Sequence, residues 1–149
     1  FERFVRDVEP KLRRALVAGF GAQLGRQAAA DALVWSWENW DKVRRLDNPA
    51  GYLYRVGRTA AARAGGRDVP APHIPSPHTD GNVVFEPSLM PALVALSRPQ
   101  RTAVLLVHGY GYTLREAAEL VGVTASTVHR DCDRALAELR VHMEVEDVH

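Results

Sequence analysis

Two side chains in this sequence stand close enough to do covalent chemistry together. His129 and Cys132 lie one helical turn apart, the spacing at which an imidazole could draw a proton from a thiol and leave a nucleophilic thiolate. No third residue is evident to orient the imidazole, and the pattern around Cys132 puts it on an apolar face, so an enzyme has little support. Cys132 is the single cysteine, which excludes an internal disulfide and a cysteine-rich zinc site; a small apolar filler in a reducing cytoplasm suits it. His73 and His78 are metal ligands by type, but no cysteine or clustered carboxylate accompanies them, and solvated side chains are the expectation. No metal and no cofactor is implied. What remains is binding chemistry, carried by arginines, hydroxyls and aromatic rings.

The clearest such group is Ser126, Thr127, His129, Arg130 and Arg134. They fall on the outer side of a helical pattern whose inner side is Val128, Cys132, Ala135, Leu136 and Leu139, and Thr124 stands where its hydroxyl would cap the helix. Upstream, Ala117, Ala118, Gly122 and Val123 complete the spacing of a helix-turn-helix. Small side chains let two helices cross closely, glycine takes the turn where a Cβ would strain the backbone, and valine plugs the second helix onto the first. In the usual docking of such a unit, the start of the second helix enters the major groove while hydroxyls and guanidiniums hold phosphates. The same spacing also suits a helical hairpin that binds no DNA.

A second group lies between residues 50 and 63. Leu53, Val56, Gly57, Ala60 and Ala64 form an inner stripe, leaving Tyr52, Arg55, Thr59 and Arg63 on another face with Arg58 beside them. Rings offer π-faces to unstacked bases and guanidiniums hold phosphate, so the pattern suits single-stranded DNA. An amphipathic helix with a solvated basic side is the commoner source of such a pattern.

The elements that must position these groups are all helical. Residues 2–20 have helical period, with Pro10 as a kink or restart. A second helix is expected over residues 26–44, with Trp37 and Trp40 packed on the Leu33 face and Trp35 pointing elsewhere, where a partner could meet it. Leu46, Asp47, Asn48 and Pro49 form a turn. Residues 87–96 and 99–107 read as two more helices, with Pro91 an alternative start for the first, and the acidic tail after Val141 is expected to fray. Between them, residues 64–82 hold four prolines and three glycines and read as a linker. The expectation is therefore an all-α chain of two small helical domains, residues 1–63 and 83–149, joined by a proline-rich tether.

At 149 residues the length admits one ordinary domain or two small ones. No apolar run is long enough to span a bilayer and no signal-peptide pattern stands at Phe1, so a soluble cytoplasmic protein without membrane insertion is expected. The chain starts without a methionine, and native residues before Phe1 are expected. The net charge of +1 hides an asymmetry: residues 1–63 hold 12 Lys and Arg against 7 Asp and Glu, whereas residues 83–149 hold 6 against 9. The half with the helix-turn-helix is the acidic one. Since phosphate neutralisation supplies most non-specific affinity for DNA, that half should bind weakly alone and need something else to bring it to its site.

Taken together, the chain resembles the extracytoplasmic-function sigma factors, small bacterial RNA polymerase initiation subunits that keep only the second and fourth conserved sigma regions. The segment NPAGYLYRVGRTAAAR resembles the family's aromatic-Leu-Tyr-Arg-x-x-Arg helix of region two, with Tyr52 where tryptophan often stands and Thr59 where asparagine is common. The more specific match is ALSRPQRTAVLLVHGYGYTLREAAELVGVTASTVHRDCDRALAELR, which resembles region four throughout. The resemblance implies that Asp31, Trp35 and Glu38 dock on the clamp helices of the polymerase beta-prime subunit. It implies that Asp47, Asn48 and Pro49 capture a flipped base of the minus-ten element, with Tyr52, Arg55 and Arg58 along the melted strand. Ser126, Thr127, His129 and Arg130 would read the minus-thirty-five element, with Arg134 on its backbone. Core RNA polymerase, including its beta flap, promoter DNA and an anti-sigma factor are the implied partners. Tethering by polymerase would let a weakly binding module select a promoter, because the second contact becomes effectively intramolecular.

Two features depart from the family. The acidic-x-x-Gln-Glu signature appears here as Gln27-Ala28-Ala29-Ala30-Asp31, with one acid left, and Asp131 and Asp133 stand where relatives carry basic or neutral residues. Facing DNA, these aspartates repel phosphate; facing a protein, they do not. The alternatives are a sigma-like decoy acting through protein partners and a stand-alone repressor or activator, although no heptad seam supplies the dimer the latter would need.

Overall fold

The computed structural model describes residues 1–65 and 89–147, and every regular element among them is helical. Most of the proline-rich stretch, including His73 and His78, lies outside the described residues. Helix α1 (Glu2–Phe20) continues through Pro10 without a restart. A proline inside a helix costs roughly 3 kcal/mol. Burying Leu12, Leu16 and Phe20 against the core returns about 1.5–3 kcal/mol each, which is enough to carry the helix past it.

Helix α2 (Ala22–Glu38) starts earlier and stops sooner than the sequence suggests. Asn39 leaves helical geometry at φ −118°, ψ 32°, with its amide donating to the Trp35 carbonyl at 2.9 Å, and one turn, α3 (Trp40–Val43), follows. A short amide that bonds nearby backbone competes with the helix at this point. The buried residues of α2 are Gly25, Ala28, Ala29, Ala32 and Ser36, all small. Close packing against α1 and α4 (Pro49–Gly65) therefore leaves no room for tryptophan in the seam. Trp37 is 62% exposed, against the expectation that it would pack, and Trp35 and Trp40 sit half-buried at the edges. In α4 the buried stripe is Leu53, Tyr54, Gly57 and Ala61, rotated from the expected one, so that Ala64 is exposed.

Helix α5 (Leu89–Ala95) leads into α6 (Arg98–Val104), which is capped by Ser97, has Pro99 in its first turn and widens into a π-helical turn at Leu105–Gly109. Helix α7 (Leu114–Val121) opens on a capping box. The Thr113 hydroxyl accepts from the Glu116 N–H, and the Glu116 carboxylate accepts from the Thr113 N–H, both at 3.0 Å. Gly122 ends it in the left-handed region at φ +77°, as the turn of a helix-turn-helix requires. Helix α8 (Ala125–Asp147) then continues past Val141, since no glycine or proline stops it.

The two small helical domains on either side of the proline-rich stretch touch through apolar side chains. One apolar cluster joins Leu12, Leu16 and Leu53 to Leu106, Ala117 and Val128, and a second joins Ala18 of α1 to Leu93, Leu105, Ala135 and Leu139. Arg101 closes the seam. Only 4% exposed, its guanidinium donates to the carbonyls of Ala18 (2.9 Å), Gly19 (2.6 Å) and Leu96 (3.0 Å), with a longer bond to Val94 at 3.4 Å. These are terminal carbonyls of α1 and the end of α5, which lack helical partners and sit at the negative ends of two helix dipoles. Burial, and then the charge of Arg98, lowers the Arg101 pKa.

Candidate nucleic-acid interface

The second helix of the helix-turn-helix divides as its sequence predicts. Val128, Cys132, Ala135 and Leu139 are buried, Ser126, His129, Arg130 and Arg134 are exposed, and Thr127 and Leu136, the latter expected inside, are half-buried. Val128, 2% exposed, is the plug that holds α8 onto α7, whereas Val123 is 43% exposed and plays no such part. At the start of α8 the Thr124 hydroxyl accepts from the Thr127 N–H at 3.1 Å and lies 2.9 Å from the Thr127 hydroxyl and 3.1 Å from that of Ser126. Three hydroxyls thus gather at a helix N-terminus, where phosphate oxygens find both donors and a favourable dipole.

The two aspartates take different directions. Asp131 lines a cleft of about 260 Å³ between the modules, together with Tyr54, Arg58 and Arg98, and so faces protein. Asp133 stays on the exposed side, where a carboxylate oxygen lies 3.4 Å from His129 Nδ1. Burial, and then Asp131 and Asp133, raises the Cys132 pKa. Its thiol is therefore held protonated, while the nearby imidazole points outward to a carboxylate.

In the first module the aromatic and basic residues form a connected group. The Trp35 and Tyr52 rings stack at 5.5 Å with 26° between their planes. Lys42 Nζ lies 5.0 Å from the Tyr52 ring centre and donates to its hydroxyl at 2.9 Å, and the Arg55 guanidinium lies 5.4 Å from the same ring. Trp35 therefore sits with the proposed strand-holding residues. Asp31 and Glu38 are exposed on the same side of α2, with Gln27 bonded to Asp31 at 2.9 Å. Thr59 is exposed but donates to the Arg55 carbonyl within its own helix. Arg58 is exposed, stands over the Tyr54 ring at 5.7 Å and lines the inter-module cleft.

Asp47 and Asn48 precede α4 and share a cavity of about 290 Å³ with Tyr52, Arg55 and, from the other module, Gly122. Lys42, Tyr54, Arg98 and Arg101 escape the sequence reading. Tyr54 lies off the inner stripe, and an arginine that meets only backbone carbonyls has no sequence partner to reveal it. Lys42 alone carried a signal, as a cation about two helical turns after Trp35.

Comparison with known proteins fits this architecture. The family model Sigma-70, region 4 matches residues 88–139. The RNA polymerase sigma-E factor of Streptomyces avermitilis is 31% identical over 159 aligned positions, covering 99% of this chain and 87% of the relative. That of Streptomyces coelicolor is 32% identical, covering 99% and 88%. The fold is similar to that of the sigma factor RpoE from Bartonella quintana, solved in complex with the anti-sigma factor NepR, at a TM-score of 0.65 and 21% identity over 97% of both chains. The chain belongs to the RNA polymerase sigma factors of the extracytoplasmic-function type, the subunits that give polymerase its promoter specificity. Among the described residues no helix is long and apolar enough to cross a membrane.

Proposed function

We propose that this chain binds core RNA polymerase in the cytoplasm, carries no chemistry of its own, and grips one promoter at two places. The observation that carries the reading is the two-sidedness of α8. Its apolar side is buried against α6 and α7, while Ser126, His129, Arg130 and Arg134 face solvent at the end that would enter a major groove. Those residues, with Thr127, read the minus-thirty-five element. Tyr52, Arg55 and Arg58, with the Asp47–Asn48 turn, hold the melted minus-ten strand. Asp31, Trp35 and Glu38 dock on the beta-prime clamp helices, region four meets the beta flap, and an anti-sigma factor competes for these surfaces. Because Trp35 stacks on Tyr52, polymerase docking on α2 and strand binding on α4 share one aromatic contact. Run-off transcription with purified core polymerase tests the reading. Initiation from a cognate promoter is expected, and tight binding to duplex DNA without polymerase, in place of initiation, would refute it.

A further inference from the structure

The exposed side of α8 carries an acid directly after an imidazole. His129 and Asp133 stand four residues apart, so they lie one above the other on the same side of the helix. Asp133 Oδ2 is 3.4 Å from His129 Nδ1, and the two side chains are 66% and 62% exposed. Side chains in a helix lean toward its N-terminus. The carboxylate therefore leans onto the imidazole, and the imidazole leans toward the end that would enter a major groove. His129 Nε2 has no hydrogen-bond partner among the described residues.

An aspartate on a surface that only held phosphates would repel them. Beside an imidazole it has another use. Neutral imidazole carries one proton and one lone pair on its two ring nitrogens, and a carboxylate next to one nitrogen favours the proton there. With the proton on Nδ1, Nε2 is left as an acceptor. In the major groove the amino groups of adenine and cytosine are donors, whereas guanine N7 and O6 and thymine O4 are acceptors. An accepting Nε2 suits adenine or cytosine and meets guanine or thymine lone pair to lone pair. Protonation of the ring reverses this, because both nitrogens then donate.

The other neighbours leave that control to Asp133. On α8, Arg130 is the adjacent charge, and Cys132 is buried, with burial raising its pKa. Among the described residues no charged group of α6 or α7 lies within ion-pairing distance of the imidazole.

We propose, on the reading role given to His129 above, that Asp133 is a positioning residue for promoter specificity. It holds the imidazole proton on Nδ1 and makes Nε2 the acceptor for an amino group of adenine or cytosine at one base pair of the minus-thirty-five element. The aspartate that departs from the family pattern is then part of what this chain selects.

Competition binding of the full chain with core polymerase, to promoters carrying each of the four base pairs at each minus-thirty-five position, measures this. Ratios taken within one pH cancel effects common to all four. At about pH 8 one position should favour adenine or cytosine on the contacted strand by roughly 2- to 12-fold, the worth of one neutral hydrogen bond. At about pH 5.5, below the ordinary histidine pKa, the preference should move to guanine or thymine. An amide can donate to Nδ1 and leave the proton on Nε2, so Asp133→Asn should lose the adenine or cytosine preference at the higher pH. Asp133→Glu restores a carboxylate and should keep it.

Unaltered preferences in Asp133→Asn overturn the proposal, and so does an Asp133→Glu chain that behaves like Asp133→Asn. A uniform gain in affinity for all four base pairs also overturns it, since the aspartate would then act only as a charge set against phosphate. His129→Ala separates the two readings. If it flattens the preference while Asp133→Asn does not, His129 reads the base and Asp133 does not position it. If it leaves every preference unaltered, His129 leaves the reading set and the role of Asp133 falls with it.

Discussion

The ring of Trp35 lies stacked on that of Tyr52, with Lys42 over both at 5.8 and 5.0 Å. The tyrosine is thus held before any strand arrives, by a residue from α2 and a cation from α3. A fixed ring loses little freedom on binding, which favours stacking with a base.

Tyr52→Ala should weaken binding of the melted strand by about 1–3 kcal/mol, roughly 5- to 150-fold. Tyr52→Phe keeps the ring and loses only the hydroxyl bond from Lys42, so it should remain near wild type. Fluorescence of a 2-aminopurine placed in the minus-ten strand reads both, in the polymerase-bound chain. Equal losses in the two variants would rule out stacking as the contribution.

Arg130 is exposed and presents its guanidinium without a carboxylate within ion-pairing distance among the described residues. Arg130→Ala should lose about 1–3 kcal/mol of discrimination at one base pair of the minus-thirty-five element while core binding is unchanged. Transcription from a panel of single-base promoter variants makes the measurement. An unaltered promoter profile removes Arg130 from the reading set.

Leu106 is fully buried in the cluster that crosses the seam. Leu106→Ala should destabilise the chain by about 2–5 kcal/mol. All three tryptophans lie in α2 and α3, so their fluorescence reports the first module although the substitution is in the second. A shared core predicts that the urea midpoint seen by tryptophan falls along with that seen by circular dichroism. A tryptophan midpoint that does not move would mean two independent bodies.

The backbone and hydroxyl of Thr113 hold the Glu116 carboxyl below its ordinary pKa. A depressed carboxylate contributes stability that is present above its unfolded pKa, about 4.3, and is lost as pH falls through the folded value. Glu116→Gln keeps an acceptor for the cap and removes the titration. Wild type should therefore exceed Glu116→Gln in urea midpoint at pH 7, and the gap should narrow as pH falls below about 4.3. A gap that does not change with falling pH would show that the charge is not its source.

Local signals in the chain were enough for most of its helices, its turn and the exposed side of α8. Gly122, the capping pair Thr113 and Glu116, and the spacing of Val128, Cys132, Ala135 and Leu139 act through backbone conformation and neighbours three or four residues away. Such constraints are written in sequence order, and the structure keeps them. Where sequence reading failed, the deciding contact was remote. Trp37 is exposed because α1 and α4 approach α2 too closely for anything larger than Ala28, Ala32 or Ser36. Periodicity reports that a face is apolar but not how near its neighbour comes.

The same division separates what the amino-acid order determined from what folding in three dimensions decided. Residue type and local spacing made this a helical chain with exposed arginines beside aromatic rings on one side of a proline-rich stretch and beside hydroxyls on the other. Only tertiary structure decided that the two halves share a core, that Arg101 turns inward to the carbonyls of Ala18 and Gly19, and that Asn48 meets Glu119. Those contacts join residues 71 to 83 positions apart, and no local pattern links partners whose only common feature is a backbone carbonyl, which every residue has.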